Sequence, residues 1–174
     1  MEKFDILYFE EHFKEGICVF ENDDMVVSMY EWDDSYSIQS EQPSPSMLCS
    51  MKRYFVDTLS LKEEGLYLKK GFTKIGVWKN YDIDGNVVDT IDYDYGWNIT
   101  WKKLVPIILE QGIKLGGIIS ITRQELNNEA GESIEAKRIW IIRQITFSDG
   151  KFEFCFDGDS GRLIEKKQIS TLHS

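Results

Sequence analysis

The stretch GLYLKKGFTKIGVWKNYDIDGNVVDTI, residues 65–91, decides how the chain folds. Short apolar groups, Leu66-Tyr67-Leu68, Val77-Trp78 and Val87-Val88, alternate with turn formers, so the stretch reads as strands of a meander. Gly65-Leu66-Tyr67 and Gly76-Val77-Trp78 repeat a Gly-x-aromatic unit at a spacing of eleven, about one strand plus one turn. Asp84-Gly85 marks a hairpin, and the pair predicts a type I′ turn, which needs positive φ.

The strand pattern extends upstream. The meander runs from Met47 to Tyr95, and in residues 17–40 Ile17, Val19, Met25, Val27, Met29, Tyr36 and Ile38 alternate at period two, which predicts two or three further strands. Asn22-Asp23-Asp24 and Glu31-Trp32-Asp33-Asp34 are the expected turns. Gln42-Pro43-Ser44-Pro45-Ser46 is a connecting loop, because each proline pushes its predecessor into extended backbone. Downstream, residues 98–112 carry one helical pattern, with Thr100 as N-cap, Leu104, Ile107 and Ile108 on one face and Gly112 as the stop. Pro106 removes a backbone donor there and predicts a later start or a bend. Residues 118–121, 138–145, 151–156 and 162–166 read as strands joined by Asp149-Gly150 and Asp157-Gly158-Asp159-Ser160-Gly161, with Phe152, Phe154 and Phe156 on one face. The expected fold class is α+β and predominantly β: antiparallel sheets with one main helix packed on the C-terminal sheet. Residues 1–95 form an acidic β-meander and 96–174 a helix plus antiparallel strands, either as two regions or as one continuous domain.

Gly65, Tyr67, Gly76, Trp78, Tyr81, Gly85 and Asn86, within residues 52–93, resemble the MORN-like variant repeats of bacterial immunity and antitoxin proteins. Trp140, Asp157 and Gly161, within residues 100–168, resemble the PepSY-like fold of small inhibitory or binding domains. The first resemblance implies a non-enzymatic protein that binds a toxin, and the second a ligand- or peptide-binding regulatory module.

Charge narrows the partner. The first fifty residues hold twelve acidic side chains and two basic ones, Lys3 and Lys14, within a net charge of −10. A one-signed surface steers basic proteins and repels nucleic acid and anionic membrane. Nucleic acid is therefore not an expected partner, since phosphate binding needs clustered Lys and Arg. No apolar run approaches the roughly 20 residues that span a bilayer. Cys18, Cys49 and Cys155 are odd in number and widely spaced, which fits thiols in a reducing, cytoplasmic compartment.

No catalytic, cofactor or metal site is expected. Asp82-x-Asp84-x-Asn86 opens like a calcium loop, but Val87 stands where the sharp-turn glycine belongs and Tyr93 where the bidentate glutamate belongs. His12 and His173 stand alone near the two ends. Asp82, Asp84, Asp89, Asp92 and Asp94 alternate as on a solvated strand face. The expected activity is binding and occlusion of a cognate basic toxin. Glu21, Asp23, Asp24, Glu31, Asp33 and Asp34 steer the encounter, and Trp32 either anchors the partner or folds back over a sheet edge. The alternative is a PepSY-like module with a pocket lined by Trp97, Trp101, Trp140 and Phe154, or with a sheet edge that captures a strand.

Overall fold

The computed structural model describes residues 2–22, 24–42, 46–126, 137–146 and 150–169. They divide into two compact units, Met1–Lys69 with Lys74–Tyr93, and Lys70–Thr73 with Asp94–Ser174. The fold is α+β and predominantly β, with antiparallel sheets.

The first unit opens with helix α1 (Ile6–His12), followed by strands β1 (Ile17–Asn22), β2 (Met25–Trp32), β3 (Ser35–Glu41), β4 (Leu48–Phe55), β5 (Leu61–Leu68), β6 (Thr73–Tyr81) and β7 (Val87–Asp92). The strands form one sheet in chain order. Register puts Cys18, Met29 and Ile38 directly opposite one another, hence on one face. Tyr54 and Leu61 complete that core with Phe4 and Phe9 from the N-terminal segment. A helix of seven residues is marginal by itself. Two contacts fix α1: the Asp5 carboxylate accepts the Tyr8 N–H at 3.0 Å, and Phe4 stacks on Tyr36 with ring centroids 4.7 Å apart.

The other face carries a second core of Cys49, Met51, Tyr67 and Trp78, flanked by Tyr93. Here the repeat glycine has a physical reason. The Trp78 indole occupies the space a Gly65 side chain would need, and its N–H donates to the Leu66 carbonyl at 2.8 Å. Lys74 lies 3.8 Å from the Trp78 ring centroid while its ammonium binds Glu63 at 2.9 Å. The aromatic residue of one repeat thus lies over the glycine of the repeat before it.

The hairpin between β6 and β7 is present, but its turn is not type I′. Only Gly85 has positive φ, at 86°. The Gly85 N–H donates to the Asp82 carbonyl at 3.0 Å, and the Asp82 carboxylate takes the Asn86 N–H at 2.8 Å. That pattern is a three-residue loop closed by one left-handed glycine, with Asp82 engaged as its clasp.

The second unit holds α2 (Trp101–Glu110), a 3-10 turn at Leu115–Gly117, and strands β8 (Ile118–Leu126), β9 (Lys137–Thr146), β10 (Gly150–Asp157) and β11 (Leu163–Ile169), ordered β11-β10-β9-β8. Thr100 occupies the N-cap position as expected, in extended backbone, although its side chain makes no cap bond. Pro106 sits inside the helix. The helix stops at Gly112, φ 76°, where the Gly112 N–H donates to Leu109 and the Ile113 N–H to Ile108 at 3.0 Å, the glycine-terminated closure that rescues orphan carbonyls. Register aligns Phe154 with Ile142 and Phe156 with Trp140, whose ring Trp101 of α2 packs against, and Leu104 and Ile108 of the same helix are fully buried. Asp149 lies outside the described residues. The Asp157 turn is held by its own carboxylate, which accepts the Ser160 N–H and hydroxyl at 2.8 Å each.

Candidate partner-binding site

Strand β2 separates the acidic residues into two groups. Glu21 and Asp24 lie at its beginning, beside the β1–β2 turn, and Glu31, Trp32, Asp33 and Asp34 lie at its end. Seven strand steps of about 3.3 Å put the groups roughly 20 Å apart. Asp23 lies outside the described residues.

Trp32 is not at the tip of its turn. It is the last residue of β2, opposite Ser35, and the turn itself is Asp33-Asp34. Its indole N–H donates to Ser37 Oγ at 2.9 Å, while the ring remains 51% exposed. The other four tryptophans are at most 8% exposed, so Trp32 is the one aromatic of that size offered to solvent. An exposed large ring held in one orientation is an interface feature rather than a core feature.

The acids beside it differ in their engagement. Asp34 binds Lys62 at 3.1 Å and accepts the Ser35 hydroxyl at 3.0 Å, and these contacts, Lys62 first, hold its carboxyl below the ordinary range. Among the described residues, neither Glu31 nor Asp33 is in an ion pair. Both line a cleft of about 360 Å³ whose other walls are Phe13, Gly16, Trp32 and Val56. Those walls come from the segment after α1, the end of β2 and the segment after β4, so no local pattern announces the cleft.

A second exposed surface is β7, the outer strand of the first sheet, whose six residues are all exposed. Val87 and Val88 are 51% and 62% exposed. Its edge is partly closed by its own side chain, because the Thr90 N–H donates to Asp89 Oδ1 at 2.8 Å.

The tryptophans of the second unit serve as core. Trp97 and Trp101 pack on Trp140 with centroids 5.4 and 6.1 Å away. The Arg123 guanidinium stands 5.0 Å from both the Trp97 and Trp140 centroids and binds Asp94 at 2.7 Å. Trp97, Trp101, Trp140 and Phe154 are all buried.

Burial pushes the Cys49 thiol up to about 11 and also raises Cys18 and Cys155, which disfavours the thiolate form that attacks or binds metal. His12 stacks on Tyr8 and meets its carbonyl at 2.9 Å. His173 lies outside the described residues. Among the described residues no three His, Cys, Asp or Glu side chains gather in a metal-binding group, and no helix is long and apolar enough to cross a membrane. No protein-family model matches the chain, and neither a curated protein nor a solved structure does.

Proposed function

We propose that the chain is a non-enzymatic immunity- or antitoxin-type protein that binds a basic toxin in the cytoplasm and occludes it. The observation that carries this reading is an exposed, oriented Trp32 set among acids at the end of a unit whose net charge is strongly negative. That unit holds nineteen acidic residues against eight basic ones, a net of −11, whereas the second unit holds eleven against twelve, a net of +1. Long-range attraction raises the association rate, and a buried aromatic anchor slows dissociation. The MORN-like resemblance fits this class of protein, whereas the PepSY-like one implies a ligand- or peptide-binding module.

The test begins with a pull-down at low and raised salt from the source lysate, followed by kinetics on the retained basic protein. Trp32→Ala speeds dissociation by tenfold or more, the effect of losing about 1.4 kcal/mol or more at an anchor. Asp33→Lys slows association and flattens its salt dependence. Unchanged rates in both variants sink the proposal.

Capture of an extended peptide at β7 is the second reading, favoured by the exposure of all six of its residues. An incoming strand has to displace the Asp89 carboxylate from the Thr90 N–H. Asp89→Ala therefore strengthens binding if β7 is the site and leaves it unchanged if the Trp32 end is.

A further inference from the structure

We infer that the partner docks on the face of β1 and β2 turned away from α1, and that the patch it brings is apolar and rimmed with lysine or arginine. This rests on the binding reading above and goes further by naming the surface and what fits it.

Side chains alternate across a strand, and directly opposite residues share a face. Cys18, Phe20 and Met29 therefore point into the core that Phe4 and Phe9 close. The other face takes Ile17, Val19 and Glu21 from β1 and Val26, Ser28, Tyr30 and Trp32 from β2. The Trp32 N–H donates to Ser37, which stands opposite Tyr30, so the indole lies on this face too. Five of the seven positions are apolar or aromatic, whereas the outward face of an antiparallel sheet is ordinarily polar. Val19, Val26 and Trp32 remain 54%, 36% and 51% exposed. Six strand steps of about 3.3 Å make the stripe from Val26 to Trp32 roughly 20 Å long. Single exposed apolar residues are ordinary, but a contiguous stripe marks an interface.

Its surroundings select the occupant. Between Lys14 and Lys52 the sequence holds eight acidic residues and no lysine or arginine. Glu21 is exposed on the stripe's own face, opposite Val26, and Asp24 lies just beyond it, while Asp33 follows Trp32 at the far end. Apolar centre and charged ends are the anatomy of an interface core with its rim. A second copy of the chain would bring acids against acids, and an anionic membrane would meet the same repulsion. A basic protein surface with an apolar centre satisfies both parts of the stripe.

The test uses the intact chain with an amphipathic leucine–lysine helix peptide, its leucine–glutamate counterpart, and oligolysine of the same positive charge, read by calorimetry and by acrylamide quenching of tryptophan emission. Because the other tryptophans are at most 8% exposed, quenching reports Trp32. The leucine–lysine peptide is expected to bind and shield Trp32, oligolysine to bind several-fold more weakly with little shielding, and the leucine–glutamate peptide not to bind. Val19→Ser with Val26→Ser weakens the leucine–lysine peptide roughly tenfold, with the melting temperature unchanged because both side chains are at the surface. Val87→Ser with Val88→Ser on β7, and Leu7→Ser on α1, remove equally exposed apolar groups elsewhere and leave binding unchanged. If these controls weaken binding as much, or the Val19 and Val26 pair does not weaken it, the surface assignment is overturned while the acidic-surface reading stands. Equal shielding by oligolysine overturns the apolar centre. Binding of the leucine–glutamate peptide, or a dimer in sedimentation that Trp32→Ala dissolves, overturns the basic partner. If no peptide binds, the stripe is not the docking surface, and the pull-down judges the toxin reading separately.

Discussion

In the second unit, cations and carboxylates face each other. Glu153 on β10 stands opposite Arg143 on β9 and Lys167 on β11, and binds them at 2.7 and 2.6 Å. Arg123 is matched to Asp94 at 2.7 Å and Arg138 to Glu125 at 2.9 Å. The first unit uses its bases in the same way: Lys52, Arg53, Lys62, Lys69 and Lys74 all have acidic partners. With nineteen acids to eight bases, however, it keeps a surplus of eleven acids. Two antiparallel sheets from one chain thus solve the same folding problem with opposite electrostatic outcomes. One is balanced and packs its tryptophans inside, and the other retains a field and an exposed tryptophan. Excess charge of one sign destabilises the compact state through self-repulsion, a cost the first unit carries and the second does not.

The largest expected effects test the two cores. Trp140 is fully buried, donates its N–H to the Ile99 carbonyl at 2.8 Å and supports the Arg123 guanidinium. Trp140→Ala costs about 3–5 kcal/mol, measured by urea denaturation. Gly65→Val in the first unit places a side chain where the Trp78 indole lies and costs about 1–3 kcal/mol by overpacking. Pairing it with Trp78→Leu restores part of the loss, because the clash is between those two residues. Additive losses in the double variant would show that the repeat glycine is needed for some other reason.

Those two positions also show what a sequence makes legible. Period-two alternation and the eleven-residue glycine spacing identify strands because both reflect local geometry, side chains alternating across a pleat and a ring needing a bare neighbour. Gly112 is legible as a helix stop for the same reason. Helix α1 is not, because seven residues owe their helicity to Phe4 and Phe9 packing on a sheet formed far along the chain. Trp32 is legible as part of an acidic segment, but its place at the end of β2 depends on strand register, which shifts the turn to Asp33-Asp34. The cleft is invisible in sequence, since Phe13, Trp32 and Val56 meet only after three separate elements have folded.

An intermediate effect compares how each unit uses a carboxylate. Glu153 is 6% exposed. Its carboxyl is held below the ordinary glutamate range by Lys167 first and then Arg143, with burial opposing them. A depressed folded pKa gives a stabilisation that is complete above the unfolded value, about 4.3, and is lost as pH falls through the lower folded value. Glu153→Gln therefore costs about 1–2 kcal/mol at neutral pH, with the exposed cations keeping it toward the lower figure. The difference from the unmodified chain closes as the pH drops below about 4, as denaturation at a series of pH values will show. A gap that persists in acid would mean the residue acts through packing instead.

The smallest effect on stability is the most telling for the unbalanced unit. Asp33 is exposed and unpaired among the described residues, so Asp33→Asn removes one repulsive charge and no internal attraction. Its stability change lies within about 0.5 kcal/mol, and its sign is stabilising at low salt, the opposite of Glu153→Gln. Screening removes repulsion between exposed charges once the Debye length falls to about 10 Å near 0.1 M salt, so the gain disappears as salt is added. Thermal denaturation at a low and a moderate salt concentration separates the two cases. A stabilisation that survives screening would come from local turn geometry. A loss of stability would mean that Asp33 has an attractive partner within the fold, and the acidic end would then resemble the second unit rather than contrast with it.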